Sequence, residues 1–133
     1  EINLFNEKNN GETLLKLIGE GLINSAHDVS LGGIITAISK MAIKGKKGFK
    51  LNNLKVLINK FHYYYGEDQG RYVIEIAPNN LTKVQKILKS NSVHYDDIGI
   101  VTENEILIDK EPVLNINDLI KFNKSWLEDY MDK

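Results

Sequence analysis

Several residue types that build special sites are scarce or absent in this sequence. The 133 residues include no cysteine, two prolines and one tryptophan, and Arg71 is the only arginine. Without cysteine the chain forms neither a disulfide framework nor a thiolate metal site, as suits a reducing compartment. Its apolar runs are far shorter than the ~20 residues that cross a membrane, and its first residues lack a signal-peptide core. We therefore expect a cytoplasmic protein with no membrane partner.

The charges of the chain are nearly balanced. Seventeen basic and eighteen acidic side chains leave a formal net charge of −1. The chain therefore has no overall field that would attract nucleic acid, and we expect none as a partner. Any anion site must be local. Arg71 is a candidate for such a site, although a single arginine can also persist by chance in a lysine-rich sequence.

Hydrophobic periodicity predicts an alternation of helices and strands. Residues 1–11 have turn composition and are interpreted as a linker or fragment edge, which leaves 12–133 as the domain. The predicted helices are Glu12–Glu20, Gly33–Lys44, Leu54–Tyr65 unwinding near Gly66, Leu81–Lys89, and a last helix capped by Asn117 or Asp118. Within 54–65 the run Tyr63–Tyr65 would also suit a strand, which is the alternative for that segment. The predicted strands are Leu22–Ala26, Phe49–Leu51, Tyr72–Ala77, Tyr95–Val101 and Glu105–Asp109.

The order of these elements indicates one compact α+β domain with a mixed sheet packed with helices. The last two strands are predicted to form a hairpin through Thr102–Asn104, followed by a turn at Lys110–Pro112. The last helix carries an apolar stripe that we interpret as core: Leu119, Phe122, Trp126, Leu127 and Tyr130.

The first motif with concentrated chemistry surrounds the start of the second helix. His27 and Asp28 precede Ser30, a candidate N-cap, and the pair Gly32 and Gly33. Exposed backbone N–H groups at a glycine-rich helix start favour a phosphate or carboxylate. Successive strand residues point to opposite faces, so His27 and Asp28 do not both face one ligand unless the strand has turned. A histidine bonded to backbone is the alternative to a catalytic one.

The second motif places Glu67, Asp68, Gln69 and Arg71 between two glycines, immediately before a strand. Carboxylates suit magnesium or ribose hydroxyls, the amide suits a hydrogen-bonding substrate, and the guanidinium can hold a phosphate or carboxylate. The alternative is a solvated loop in which Glu67 and Arg71 pair with each other. Walker-type, GxGxxG and GxSxG motifs are absent, His62 and His94 lack the spacing of zinc ligands, and no residue is singled out as catalytic.

Both motifs carry a family resemblance. The segment 25–33, SAHDVSLGG, resembles the SAHDVSDGG-type stretch of phosphoribosylformylglycinamidine synthases, and 65–73, YGEDQGRYV, resembles their FSESQGRYV-type segment. The resemblance extends from about Glu12 to the end and implies the C-terminal fold of the AIR synthase superfamily. It implies a substrate- or nucleotide-phosphate-binding role for the residues of both motifs, namely His27, Asp28, Ser30, Gly32, Gly33, Glu67, Asp68, Gln69 and Arg71.

The resemblance also implies a reaction and partners. The family is an ATP-dependent ligase that converts formylglycinamide ribonucleotide, with ammonia from glutamine, to the amidine in purine biosynthesis. ATP and Mg²⁺ are then cofactors of the full-length enzyme, and we expect neither to bind this fragment nor any metal to bind this domain alone. The implied partners are the N-terminal ATP-binding domains of the same enzyme and a glutaminase domain or subunit, with homodimer or pseudo-dimer packing.

Two departures from the family pattern weaken a phosphate site. Leu31 replaces an acidic residue at the helix start, and Asp68 replaces a serine and adds a negative charge. They fit the second, degenerate copy of the domain that the long form of the family carries. The alternatives are another AIR synthase-like enzyme, such as aminoimidazole ribonucleotide synthetase, selenophosphate synthetase or a hydrogenase-maturation protein, or a noncatalytic packing and assembly module.

Overall fold

The computed structural model describes residues 3–52 and 59–131. Its helices are α1 Leu4–Gly19, α2 Gly33–Gly45, α3 Lys60–Tyr65, α4 Leu81–Ser90 and α5 Ile116–Met131. Its strands are β1 Ser25–Asp28, β2 Gly48–Leu51, β3 Tyr72–Glu75, β4 Gly99–Thr102, β5 Glu105–Ile108 and β6 Glu111–Asn115. Helices and strands alternate along the chain, which confirms the predicted α+β class.

The described residues group into two compact units, whereas the sequence predicts one compact domain. The first unit contains α1, β1, the start of α2, α3, β3 and α4, and its sheet is the antiparallel pair β1–β3. The second unit contains the rest of α2, β2, β4, β5, β6 and α5, and its sheet has the order β4-β2-β5-β6. Both candidate motifs belong to the first unit.

The four-stranded sheet is mixed, as predicted, but the predicted hairpin is wrong. β2 runs antiparallel to β4 and parallel to β5, and therefore lies between the two strands that were expected to pair. The short link Thr102–Asn104 is compatible with a hairpin in sequence. A β-carbon at Gly99 would collide with the Lys50 carbonyl oxygen, so glycine permits the close approach of β4 to β2 instead.

The hairpin of this unit is formed by β5 and β6. Asp109 and Lys110 connect these strands, with φ angles of 53° and 73°. Two central residues of positive φ are characteristic of a tight hairpin turn whose twist matches the strands. Pro112 lies within β6, opposite Leu107, rather than in the predicted turn at 110–112. Because β6 is an edge strand, the missing N–H of Pro112 is tolerated.

Helix α1 begins at Leu4, so the predicted turn structure of residues 1–11 is wrong from that residue onward. The Asn3 side chain caps the helix by accepting a hydrogen bond from the Asn6 N–H at 3.1 Å. Asn9 donates to the carbonyl of Asn91 at 2.7 Å, outside the helix. The sequence pattern of this segment shows only the low helix propensity of asparagine. Tertiary hydrogen bonds such as that of Asn9 offset this low propensity.

The core of the first unit is built mainly from α1 and α4. Leu17 and Val84 are 1% and 0% exposed. The buried cluster contains Leu17, Leu22, Val84 and Leu88. Of the four residues predicted to point inward from α4, Leu81 is instead 37% exposed. The predicted strand 22–26 begins later, at Ser25, and Leu22 precedes it as a member of this cluster.

The remaining helices match the sequence in part. α2 ends at Gly45, as predicted. The described part of the helix predicted over 54–65 is α3, which ends at Tyr65 and is followed by Gly66. Residues 54–58 of that prediction lie outside the described residues. Helix α5 is capped by the side chain of Asn115, which accepts from Asn117 N–H at 2.8 Å, rather than by Asn117 or Asp118.

The predicted burial of the aromatic stripe on α5 is wrong. Phe122, Trp126 and Tyr130 are 68%, 60% and 70% exposed, and Leu119 is half-buried. The side chain of Leu127 lies outside the described residues. Helical period alone identifies a stripe but not the surface that covers it.

Candidate functional site

The β1–β3 pair brings the two motifs together. In this antiparallel ladder His27 lies opposite Val73 and Asp28 lies opposite Tyr72. The ladder continues past β1, where Val29 N–H donates to the carbonyl of Arg71 at 2.9 Å. Arg71, the last residue of the second motif, is thus bonded to Val29, which lies just before the start of α2. Local sequence patterns did not predict this contact, because Val29 and Arg71 lie 42 positions apart in the sequence.

His27 is held by backbone and Asp28 faces solvent. The Nδ1 atom of His27 lies 2.6 Å from the carbonyl oxygen of Asp28 and 3.2 Å from its carboxylate. A carbonyl only accepts hydrogen bonds, so Nδ1 carries the proton in this contact. The His27 side chain is 25% exposed and that of Asp28 is 64% exposed. Exposure alternates along β1, but the two side chains meet at the edge of the strand. The shorter contact, to the carbonyl, matches the alternative of a backbone-bonded histidine.

The start of α2 receives a carboxylate from the second motif. Gly32 N–H donates to Oε1 of Glu67 at 2.8 Å. Gly33 N–H donates to the carbonyl of Ser30 at 2.9 Å, so the backbone of Ser30 rather than its side chain makes this contact. The free N–H groups and dipole of a helix start favour a negative charge. Glu67 thus occupies the place that the sequence predicts for a ligand anion.

Gly33 permits close packing of α3 against the same helix start. Its φ is 69° and it is buried. A β-carbon at this position would lie 2.5 Å from the Tyr64 carbonyl oxygen and 2.7 Å from the Cα atom of Tyr65. The neighbour of Gly33 is therefore protein backbone, and both the left-handed conformation and the approach of α3 require glycine.

Arg71 folds back onto its own loop. Its Nη2 atom donates to the carbonyl of Gly66 and lies 3.3 Å from Oδ2 of Asp68, so the predicted pair of Glu67 and Arg71 is replaced by Asp68 and Arg71. The Nε atom is buried and has no hydrogen-bond partner among the residues that the structure describes. Gln69 is exposed. The guanidinium therefore binds within its own loop, and it is not free to hold an anion by two parallel hydrogen bonds.

The pKa of Tyr63 on α3 is shifted by burial and by charges around this loop. Burial raises the pKa of its phenol, the Asp96 carboxylate raises the pKa further, and the Arg71 guanidinium lowers it. The charge of Arg71 in the loop therefore favours ionisation of the Tyr63 phenol on α3, whereas burial and Asp96 oppose it.

Helix α1 anchors the loop from the other side, with residues that sequence reasoning missed. Asn10 Nδ2 donates to the carbonyl of Gly70 at 3.0 Å. Gly70 has a φ of 71°, and a β-carbon there would lie 3.2 Å from Cγ of Glu7. Asn10 falls in the segment interpreted as a linker, so its role carried no local signal beyond the density of asparagines.

An open aromatic cleft lies beside the loop. Its volume is about 490 Å³, and it is lined by Phe61, His62, Tyr65, Gly66 and Asp68. The rings of Phe61 and Tyr65 stack with centroids 6.4 Å apart and remain 70% and 56% exposed. The cleft therefore presents apolar ring faces beside the carboxylate of Asp68.

The nine predicted residues form a connected structure whose polar groups are largely paired with one another. Two carboxylates, Glu67 and Asp68, neutralise the helix start and the guanidinium that would bind an anion. Within residues 3–52 and 59–131, no group of three or more histidine, aspartate or glutamate side chains is placed to hold a metal ion. In the same part of the chain, no helix has the length and apolar character needed to cross a membrane.

Comparison of sequences adds a family to this geometry. The family model described as AIR synthase related protein, C-terminal domain, matches residues 1–110. The phosphoribosylformylglycinamidine synthase subunit PurL of Pelagibacter ubique is 60% identical over 132 residues, which are 99% of this chain and 18% of that protein. The PurL subunit of Bartonella quintana is 32% identical over 135 residues, again covering 99% of this chain and 18% of its own length. The chain thus spans about a fifth of these curated relatives.

Comparison of structures gives the same fold. Thermotoga maritima PurL complexed with FGAR superposes with a TM-score of 0.71 at 22% identity, covering 86% of this chain and 21% of that one. The T. maritima PurL complex with ATP superposes with a TM-score of 0.70 at 21% identity, covering 85% and 21%. At these identities the superposition establishes the fold alone.

The packing at Gly33 predicts a large penalty for the smallest side chain. We expect Gly33→Ala to destabilise the chain by at least about 1–3 kcal/mol, because alanine is strained at this φ and its methyl group meets backbone atoms. Urea denaturation followed by circular dichroism measures the effect. Gly19→Ala is the matched control, since a β-carbon at Gly19 has nothing within 4 Å. Equal stabilities of the two variants would contradict the close approach of α3.

The bond from Gly32 N–H to Glu67 predicts protection of one amide. In Glu67→Ala we expect the Gly32 amide hydrogen to exchange about two- to tenfold faster, the equivalent of about 0.5–1.5 kcal/mol for one net hydrogen bond. Amide exchange by NMR measures this rate. Asp68→Ala removes a neighbouring carboxylate that pairs with Arg71 instead, and it should leave the Gly32 rate unchanged. An unaltered Gly32 rate in Glu67→Ala would rule out the bond.

Proposed function

The chain belongs to the family of AIR synthase related proteins, as their C-terminal domain, and from this premise we propose that it forms one domain of a phosphoribosylformylglycinamidine synthase. The proposal is supported by 60% identity to a PurL subunit along nearly the whole chain. Another AIR synthase-like enzyme is less well supported, because three relatives that match across 98–99% of the chain bear the PurL name.

In this proposal the complete enzyme is an ATP-dependent ligase of purine biosynthesis. It converts formylglycinamide ribonucleotide to the amidine with ammonia derived from glutamine. Support comes from T. maritima PurL, which has been obtained in complexes with FGAR and with ATP. We assign Mg²⁺ to other domains of the enzyme, and we place the enzyme in the cytoplasm.

The partners in this proposal are parts of one enzyme. The chain is 18% of the length of its relatives, which leaves room for the ATP-binding domains that precede it in the family. A glutaminase, fused or separate, would supply the ammonia. Packing of this domain against its counterpart, in a homodimer or pseudo-dimer, completes the proposed assembly.

For the two motifs we propose a packing role in this copy of the domain. The observation that carries the proposal is the bond from Gly32 N–H to the Glu67 carboxylate, because a carboxylate of the protein already lies at the helix start. Asp68 likewise neutralises Arg71. In this role the junction is rigid, and four further motif residues surround it: His27, Asp28, Ser30 and Gln69. The 133 residues alone then have neither activity nor a bound cofactor.

A second candidate role is phosphate binding at the same junction. It is favoured by the Nε atom of Arg71, which is buried without a hydrogen-bond partner in the described part of the chain. The Gly32 N–H, which donates to Glu67, would be the backbone donor to such a phosphate. In this role an incoming phosphate would displace the carboxylate of Glu67.

The enzyme proposal predicts turnover by the whole subunit. The full-length subunit that contains this chain should form the amidine from formylglycinamide ribonucleotide, ATP and ammonia, measured by mass spectrometry of the product. Removal of this domain should abolish turnover, because positioning of reacting groups in a ligase depends on a completed site. The 133-residue chain alone is the negative control. No turnover by the whole subunit under conditions where a homologue works would refute the proposal.

The packing role predicts weak ligand binding by the chain alone. Calorimetry of the 133-residue chain with ATP, ADP and the ribonucleotide should detect no binding tighter than about 1 mM. Glu67→Ala separates the two roles, since it frees the helix start and should create phosphate affinity only if the junction is a blocked phosphate site. Micromolar binding by the unsubstituted chain would overturn the packing role.

A further inference from the structure

Helix α5 presents three aromatic side chains to solvent along one face. Phe122, Trp126 and Tyr130 recur at intervals of four residues, and they are 68%, 60% and 70% exposed. Residues four apart in a helix lie above one another on the same side. We call these three residues the aromatic stripe.

The beginning of α5 is firmly attached, which distinguishes it from the stripe. Ile116 is 0% exposed and its N–H donates to the carbonyl of Asn104 at 2.9 Å. The side chain of Asn115 caps the first turn. The helix is thus fixed at its start to the second unit, and the stripe follows on later turns where the described residues leave it largely uncovered. Large exposed aromatic groups in a row mark an interaction surface more often than single ones do.

The sequence comparisons indicate which kind of partner the aromatic stripe has. The family model ends at residue 110, before α5, whereas the PurL subunit of P. ubique matches 132 residues, 99% of the chain, and therefore includes this helix. The helix belongs to the enzyme subunit and lies beyond the domain that the wider family shares. About four fifths of each such subunit lies outside the matched span, since the span is 18% of its length.

We propose that the aromatic stripe of α5 docks onto an apolar surface of another domain of the same subunit. This inference rests on the proposed function, since it requires the chain to be one part of a longer enzyme. The stripe would fix the position of the second unit within that enzyme. Phe122, Trp126 and Tyr130 would serve as its apolar anchors.

The area of the stripe favours this occupant over a second copy of the chain. Three aromatic side chains that are each about two thirds exposed offer on the order of 400 Å². A stable interface between separate molecules needs about 800 Å² on each partner. Domains of one polypeptide meet at a high effective concentration, roughly millimolar for short linkers, so a smaller surface suffices for them.

The test compares two positions on α5 in the full-length subunit. Trp126→Cys places a thiol on the stripe, and Lys124→Cys places one on the opposite, exposed face, two residues or ~200° away. Maleimide labelling is followed at each position by mass spectrometry of its own peptide, so cysteines of other domains do not interfere. Hydroxyl-radical oxidation of the unsubstituted Trp126 repeats the comparison without a substitution.

We expect position 126 to react about tenfold or more slowly than position 124 in the folded subunit, because docking shields it until the interface opens. In the 133-residue chain the two positions should react at similar rates, and Trp126 should be oxidised readily. Equal rates in the full subunit would overturn the inference. Protection that appears in the chain alone and rises with its concentration would also overturn it, in favour of a second copy.

The same samples separate this inference from the proposed function. A subunit that turns over its substrate while position 126 stays fully reactive contradicts the docking of the stripe and leaves the ligase proposal intact. A subunit that protects position 126 but shows no turnover supports docking and contradicts the ligase proposal.

Discussion

The hydrogen bond between the Gly32 amide and the Glu67 carboxylate joins the two motifs, and the junction that they form depends on it. It ties the start of α2 to a loop 35 residues later in the chain. Around it, Val29 is bonded to Arg71, and Gly33 gives α3 its place. The N–H at the start of α2 and the Arg71 guanidinium could each bind an anion, but here each is paired with a carboxylate of the protein, Glu67 and Asp68 respectively. A carboxylate at a helix start has the favourable electrostatics of a bound anion without the loss of a free ligand's entropy.

Three hydrogen bonds hold the loop of the junction, each at a different residue of the loop. Asn10 binds the Gly70 carbonyl from α1, Glu67 binds α2, and Arg71 closes the loop on itself through Gly66. Residues held by several independent contacts have little freedom left. Such rigidity suits a surface that positions other groups, and it is the physical basis for proposing a packing role rather than a flexible ligand-binding one.

Local signals in the sequence predicted helix α2 and the loop of residues 66–71 because apolar period and glycine ends are properties of neighbouring residues. The order β4-β2-β5-β6 was beyond such signals, since β2 pairs with strands some fifty residues later. The helical start at Leu4 was missed because Asn9 and Asn10 find their partners at Asn91 and Gly70. The motif residues were identified by pattern, but the partner of each one, Glu67 above all, required the fold.

The central position of β2 in its sheet has a consequence for how the chain folds as it is synthesised. Neither unit is continuous in sequence, and β2 is complete long before β4 and β5, at 99–102 and 105–108, exist to cover its two edges. A strand with the buried residues Phe49 and Leu51 and two open edges is a site for pairing with other chains. Non-local pairing of this kind also slows folding. The edges of β2 therefore stay open until residues 99–108 have been made.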